Sequence, residues 1–268
     1  MSPKIRRLID IHHHILNEPD YVDRMIETMD RLGIEKVCLS GLGIGSARWL
    51  GDLSPTNDDV LRALDRYPDR IIGMGVVRLG KDDEGVVDRL YAAGFRGLKT
   101  TRPTKNYDDP AFDPIYERAE QLKMPFLFHT GFILPTVHDK RDDVSSDRMR
   151  PVLLDRVARR YPELPIIIAH LGMPWHAEAA EMARFHPNVY VDLTGSAQGW
   201  RNRKSPAFFA EMFYWENAFE KIVFGTDVHY SEMGDVLRDH ERLFMLLNVP
   251  EAVQEKIFGG TAARLFKL

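Results

Sequence analysis

Leu8-Ile9-Asp10-Ile11-His12-His13-His14 is a short apolar run that ends in three histidines. Side chains alternate across a strand, so Asp10, His12 and His14 share one face while Ile11 and His13 share the other. Two imidazoles two residues apart on one rigid strand can grip a single metal ion. A surface histidine cluster reads the same way in isolation. What the rest of the chain can bring to the same place therefore decides the matter.

Seven more apolar runs follow, at 36–40 (KVCLS), 71–77, 96–100, 125–129 (PFLFH), 165–170 (PIIIAH), 189–193 and 221–224. Between and after them, residues 21–32, 57–67, 82–93, 112–123, 149–161, 175–185, 206–218 and 233–247 read as helices, and 251–258 adds another. In the first helix Val22, Met25, Ile26 and Met29 recur at helical spacing, and Gly33 stops it. Nearly continuous apolar strands alternating with helices make a parallel sheet covered on both faces. Eight such repeats in 268 residues suit a closed (β/α)₈ barrel in a single domain spanning 1–268, with extra helices at its C-terminus. An open doubly wound sheet is the competitor. It favours a glycine-rich phosphate turn, and Gly41-Leu42-Gly43-Ile44-Gly45-Ser46 does not have the G-x-G-x-x-G spacing.

Composition narrows the function. A formal charge of −4 offers no electrostatic case for nucleic acid. No apolar run approaches the roughly 18 residues that span a bilayer. The basic segment 1–7 runs into Asp10 and three histidines rather than a signal-peptide core. Cys38 is the one cysteine, which excludes an internal disulfide and a cysteine metal site. A cytoplasmic enzyme or binding protein for small molecules is expected.

Barrel chemistry gathers at the C-terminal ends of the strands. Those ends carry His12 and His14 on strand one, Lys99 on four, His129 on five, His170 on six and Asp227 just after eight. A lone strand-end histidine is more often structural than a ligand. Four histidines and an aspartate aimed at one mouth are costly to bury unpaired, and a divalent cation removes that cost.

The same residues carry a family resemblance. Residues 9–14 (IDIHHH), 94–99 (GFRGLK), 128–131 (FHTG), 169–172 (AHLG), 188–193 (NVYVDL), 224–227 (FGTD) and the closing 260–266 (GTAARLF) resemble the amidohydrolase superfamily. The likeness is to its amidohydrolase-related branch, which includes aminocarboxymuconate-semialdehyde and resorcylate-type decarboxylases. The resemblance implies that His12, His14, His129 and Asp227 bind a metal and that His170 is a catalytic histidine beside the metal-bound water. Asp227 would also take that water's proton. Relatives with two metals bridge them through a lysine or glutamate on strand four, where this chain has Lys99. The branch's mononuclear pattern points to one metal, with zinc the first choice and manganese the alternative. Lys99 is then a positive group facing substrate.

The expected activity is metal-dependent hydrolysis of a small ester, lactone or amide of an organic acid. Nonoxidative decarboxylation of an aromatic or unsaturated acid is the alternative, and a noncatalytic ligand-binding barrel the rival class. Lys99, Arg102, Trp175 and His176 are the expected substrate contacts. Arg48, Arg78, Arg201, Arg203 and Lys204 are further cations on the approach side, which suggests an anionic substrate. His13 is expected under the helices, His138 in a solvated loop, His186 and His240 in structural roles, and Asp192 orienting a ligand. A homodimer is common in the family and is expected here.

Overall fold

A computed structural model of the chain describes residues 7–42, 46–47, 51–52 and 54–268. Eight parallel strands form one sheet: β1 (Ile9–His14), β2 (Lys36–Ser40), β3 (Ile71–Val76), β4 (Gly97–Thr100), β5 (Phe126–Phe128), β6 (Ile166–Ile168), β7 (Val189–Asp192) and β8 (Ile222–Val223), hydrogen-bonded in chain order. The seam between last and first strand is closed by the Ile11 N–H to Phe224 O at 3.0 Å and the Asp227 N–H to His12 O at 2.7 Å. The sheet is the expected (β/α)₈ barrel. Residues 43–45 of the glycine-rich loop, and Arg48, lie outside the described residues. Among the described residues no helix is long and apolar enough to cross a membrane.

Among the described residues the α-helices longer than one turn are α1 (Tyr21–Leu32), α2 (Asn57–Arg66), α3 (Val86–Ala92), α4 (Asp113–Gln121), α5 (Leu154–Arg160), α6 (His176–Phe185), α7 (Pro206–Met212), α8 (Met233–Leu246), α9 (Glu251–Glu255) and α10 (Thr261–Phe266), and a single turn spans Asp139–Asp142. Several start later than their apolar spacing suggests, because side chains compete for the first turn. Asp82 accepts the Arg78 N–H and Asp83 accepts the Gly85 N–H, which holds that segment as a turn until Val86. Pro151 disfavours helical backbone at the residue before it, and Arg150 is extended at ψ 138°, so the helix expected from residue 149 begins at Leu154 after 3₁₀ turns at Ser146–Met149 and Pro151–Leu153.

Two apolar layers follow from the alternation along the strands. Ile9, Ile11, Cys38, Ile72, Met74, Leu127, Ile167, Tyr190 and Val223 fill the barrel, joined by Ala262 and Leu265 of α10. The opposite strand faces pack against the helices through Leu39, Leu98, Phe126, Phe128, Ile168 and Val191, among others. This is why the strands read as unbroken apolar runs.

Arg201 anchors the loop after β7 beneath the barrel mouth. It was expected in an exposed cationic run above the site, but it is only 2% exposed. Its Nε donates to Asp239 of α8 at 2.6 Å, and its Nη1 donates to Leu193 O at the end of β7. Removing one partner of a buried pair strands the other charge, at a cost of about 3–5 kcal/mol. Arg201→Met is therefore expected to lower stability by that amount in urea denaturation. A loss under about 1 kcal/mol would remove Arg201 as the anchor.

Candidate metal and active site

The first strand is not a regular two-residue repeat. Asp10 pairs with Val37 and His13 with Leu39, so Ile11 and His12 together oppose Cys38. This extra residue is a bulge, and it corrects the expected placement of Asp10, His12 and His14 on one face. Ile9 and Ile11 face the barrel interior. After the bulge His12 and His14 do so too, with their Nε2 atoms 3.2 Å apart. Asp10 and His13 lie on the outer side. There His13 joins Thr226 Oγ1 and the Tyr21 hydroxyl of α1, each at 3.0 Å, as expected for a histidine under the helices.

Asp227 completes the cluster. Its Oδ1 is 3.3 Å from His14 Nε2 and 3.8 Å from His12 Nε2, while its Oδ2 is 3.5 Å from His170 Nε2. The His170 ring lies 5.0 Å from that of His129 and 5.3 Å from that of His12. His170 and Asp227 reach these positions on left-handed backbone, with φ of 57° and 49°. Such conformations cost energy and persist where the surrounding structure enforces them. Gly225 makes room: a Cβ there would sit 2.8 Å from Thr194 and 3.0 Å from His12 Cβ.

Each ring has its second nitrogen fixed. His12 Nδ1 is 2.9 Å from Asp192 Oδ2, and His14 Nδ1 is 2.8 Å from Ser40 Oγ. His129 is hydrogen-bonded to the Phe132 main chain, which leaves its buried Nε2 with no partner. His12, His14 and Asp227 offer ligand atoms that all lie within 4.8 Å of one another, which fits a divalent cation, and the orphaned His129 nitrogen belongs to a ring 5.0 Å from that of His170 rather than to this group of three. Lys99 Nζ lies 2.9 Å from His12 Nε2, so a cationic group already faces that nitrogen.

The electrostatics agree with neutral His14 and His129. Burial, reinforced by neighbouring positive charge, pushes His14 and His129 well below the ordinary imidazole range. Burial also lowers His170, with Asp227 opposing it, and brings Lys99 down to about 8. Burial disfavours the Asp192 carboxylate, yet the charge of His12 and hydrogen bonds from His12 and Thr194 outweigh it and hold the group well below the usual range. Asp192 Oδ1 also accepts the His170 N–H at 2.8 Å.

Other expected contacts sit further off. Arg102 gives its guanidinium to Asp139 and to Leu134 O at 2.6 Å, so it braces the loop after β5. His176 is buried against Trp200, with ring centroids 4.8 Å apart, and its Nδ1 is 3.0 Å from Leu171 O. That makes it a brace between loops rather than an open contact. Arg78 is paired with Asp82. Trp175 lies at the rim, stacked at 5.4 Å on Phe132, which is 62% exposed. His186 pairs with Asp155 and His240 is buried on Val236 O. Ser40, Thr194 and Phe132 were not singled out from the sequence. For Ser40 and Thr194 the available signal was a polar residue at the C-terminal end of an apolar strand.

Residues 9–268 match the Amidohydro_2 family, described as amidohydrolase. The L-fucono-1,5-lactonase of Burkholderia ambifaria is 27% identical over 199 residues, covering 65% of this chain and 62% of that protein, which is under two thirds of its length. The gamma-resorcylate decarboxylase of Rhizobium radiobacter is 23% identical across 97% of this chain and 90% of that protein. An uncharacterized TIM-barrel protein from Bordetella bronchiseptica shares the fold, with a TM-score of 0.72 at 21% identity over 97% of this chain and 98% of that one. Because the family match runs from β1 to the last helix and takes in every residue of the cluster, the chain belongs to the amidohydrolase family and is an enzyme of that superfamily.

Proposed function

We propose that this chain is a metal-dependent hydrolase acting on a small ester, lactone or amide of an organic acid. His12, His14, His129 and Asp227 would hold one divalent metal, with zinc the first choice for three imidazoles and a carboxylate, and manganese the alternative. A cation there lowers the pKa of water towards about 7 and polarises a carbonyl.

The observation that supports hydrolysis is the pairing of His170 and Asp227. Thr194 has one hydroxyl proton, and Asp192 Oδ1 accepts it at 2.5 Å. Thr194 Oγ1 must then accept from His170 Nδ1, 2.8 Å away, which leaves His170 Nε2 with a free lone pair. That lone pair and Asp227 Oδ2 are two acceptors 3.5 Å apart. Together they can orient a water and take its proton, which is the general-base requirement of hydrolysis. Lys99, buried beside them, offers the positive group for an anionic part of the substrate.

Decarboxylation of an aromatic or unsaturated acid is the second reading. The Lys99 ammonium, turned into the cluster, could hold a substrate carboxylate, and the full-length similarity to a resorcylate decarboxylase favours the same chemistry. Metal-loaded protein given a panel of sugar lactones, esters and hydroxybenzoates separates the two. Acid release in a pH-stat without CO₂ is expected. CO₂ evolution from a hydroxybenzoate, with no lactone or ester turned over, would favour the second reading.

Two variant proteins test the assigned roles. The double replacement His12→Ala and His14→Ala should abolish tight divalent metal binding in equilibrium dialysis, and a full retained metal equivalent would refute the ligand set. His170→Ala should keep the metal and lose turnover by about 10²–10⁴-fold. Metal loss in that protein, or near-normal turnover, would count against its role as base.

A further inference from the structure

Asp10 is fully buried on the outer side of β1 and belongs to no part of the proposed reaction. Its Oδ1 accepts two main-chain N–H groups, those of His12 and Thr226, each at 3.0 Å. Its Oδ2 accepts the Thr226 hydroxyl at 2.5 Å. The same hydroxyl oxygen is 3.0 Å from His13 Nδ1, and His13 Nε2 is 3.0 Å from the Tyr21 hydroxyl.

The two N–H groups are the notable part. One belongs to His12 itself and the other to the residue immediately before Asp227. The first bond spans the bulge that turns His12 into the barrel. The second crosses the seam where β8 closes on β1. One carboxylate oxygen thus clamps the backbones of two cluster arms that arrive from opposite ends of the chain.

We propose that Asp10 is a positioning residue that sets metal affinity through these two main-chain hydrogen bonds. The proposal rests on the metal reading given above. An amide in place of the carboxylate has a weaker acceptor for two N–H groups. Its NH₂ also faces a Thr226 hydroxyl that has to reverse its own bond. The clamp loosens while the side-chain volume stays the same.

The test compares Asp10→Asn with Thr226→Val, measuring the zinc dissociation constant by chelator competition and the melting temperature of the metal-free protein. Thr226→Val removes the Oδ2 contact and leaves both main-chain bonds to Oδ1. Asp10→Asn is expected to weaken zinc binding by roughly tenfold or more, in the range seen when the groups that orient metal ligands are replaced. Thr226→Val should lower the melting temperature with zinc affinity within about threefold of the parent. Wild-type affinity in Asp10→Asn would overturn the proposal. So would a Thr226→Val protein that loses as much affinity as Asp10→Asn, since affinity would then follow stability alone. Failure of the parent protein to bind zinc or manganese would instead sink the metal reading itself.

Discussion

An imidazole can present a lone pair in a chosen direction only when its other nitrogen is held. Asp192, Ser40 and the Phe132 main chain hold the second nitrogens of His12, His14 and His129. Everything else at the mouth depends on that constraint. Burial keeps His14 and His129 neutral, and fixed rings would give a bound metal its ligand atoms without reorganisation. Asp192 does double duty, because its other oxygen accepts the His170 main-chain N–H and the Thr194 hydroxyl, which in turn fixes the tautomer of His170. A single carboxylate therefore couples the orientation of a proposed ligand to that of the proposed base.

The barrel was legible because its cause is written along the chain. Parallel strands covered on both faces must be apolar on both faces, and eight such runs stand out. The cluster was legible for a related reason: histidine and aspartate at the ends of apolar strands interrupt an otherwise uniform pattern. His12, His14, His129, His170 and Asp227 all declare themselves in this way.

What the sequence concealed lies in the third dimension. A two-residue repeat places Asp10 with the ligands, and nothing in Ile9-Asp10-Ile11-His12 marks the bulge that moves it to the other side. Charge alone did not distinguish Arg102 and Arg201 from arginines open to substrate. Their partners, Asp139 and Asp239, lie 37 and 38 residues away along the chain. Trp175 and His176 are neighbours in sequence with different fates, one at the rim on Phe132 and the other beneath the surface on Trp200.

The loops after β5 and β6 touch backbone to backbone. Gly131, at φ 102°, lies so close to Met173 that a Cβ would come within 2.0 Å of its carbonyl oxygen, and the Phe132 N–H donates to that same oxygen at 3.2 Å. Barrel enzymes are often pictured as a fixed frame carrying eight independently exchangeable loops. Here two of the eight form one inheritable unit. A loop grafted after β5 would meet an unmatched partner after β6, so productive changes in substrate range on this side should arise as paired substitutions whose effects do not add.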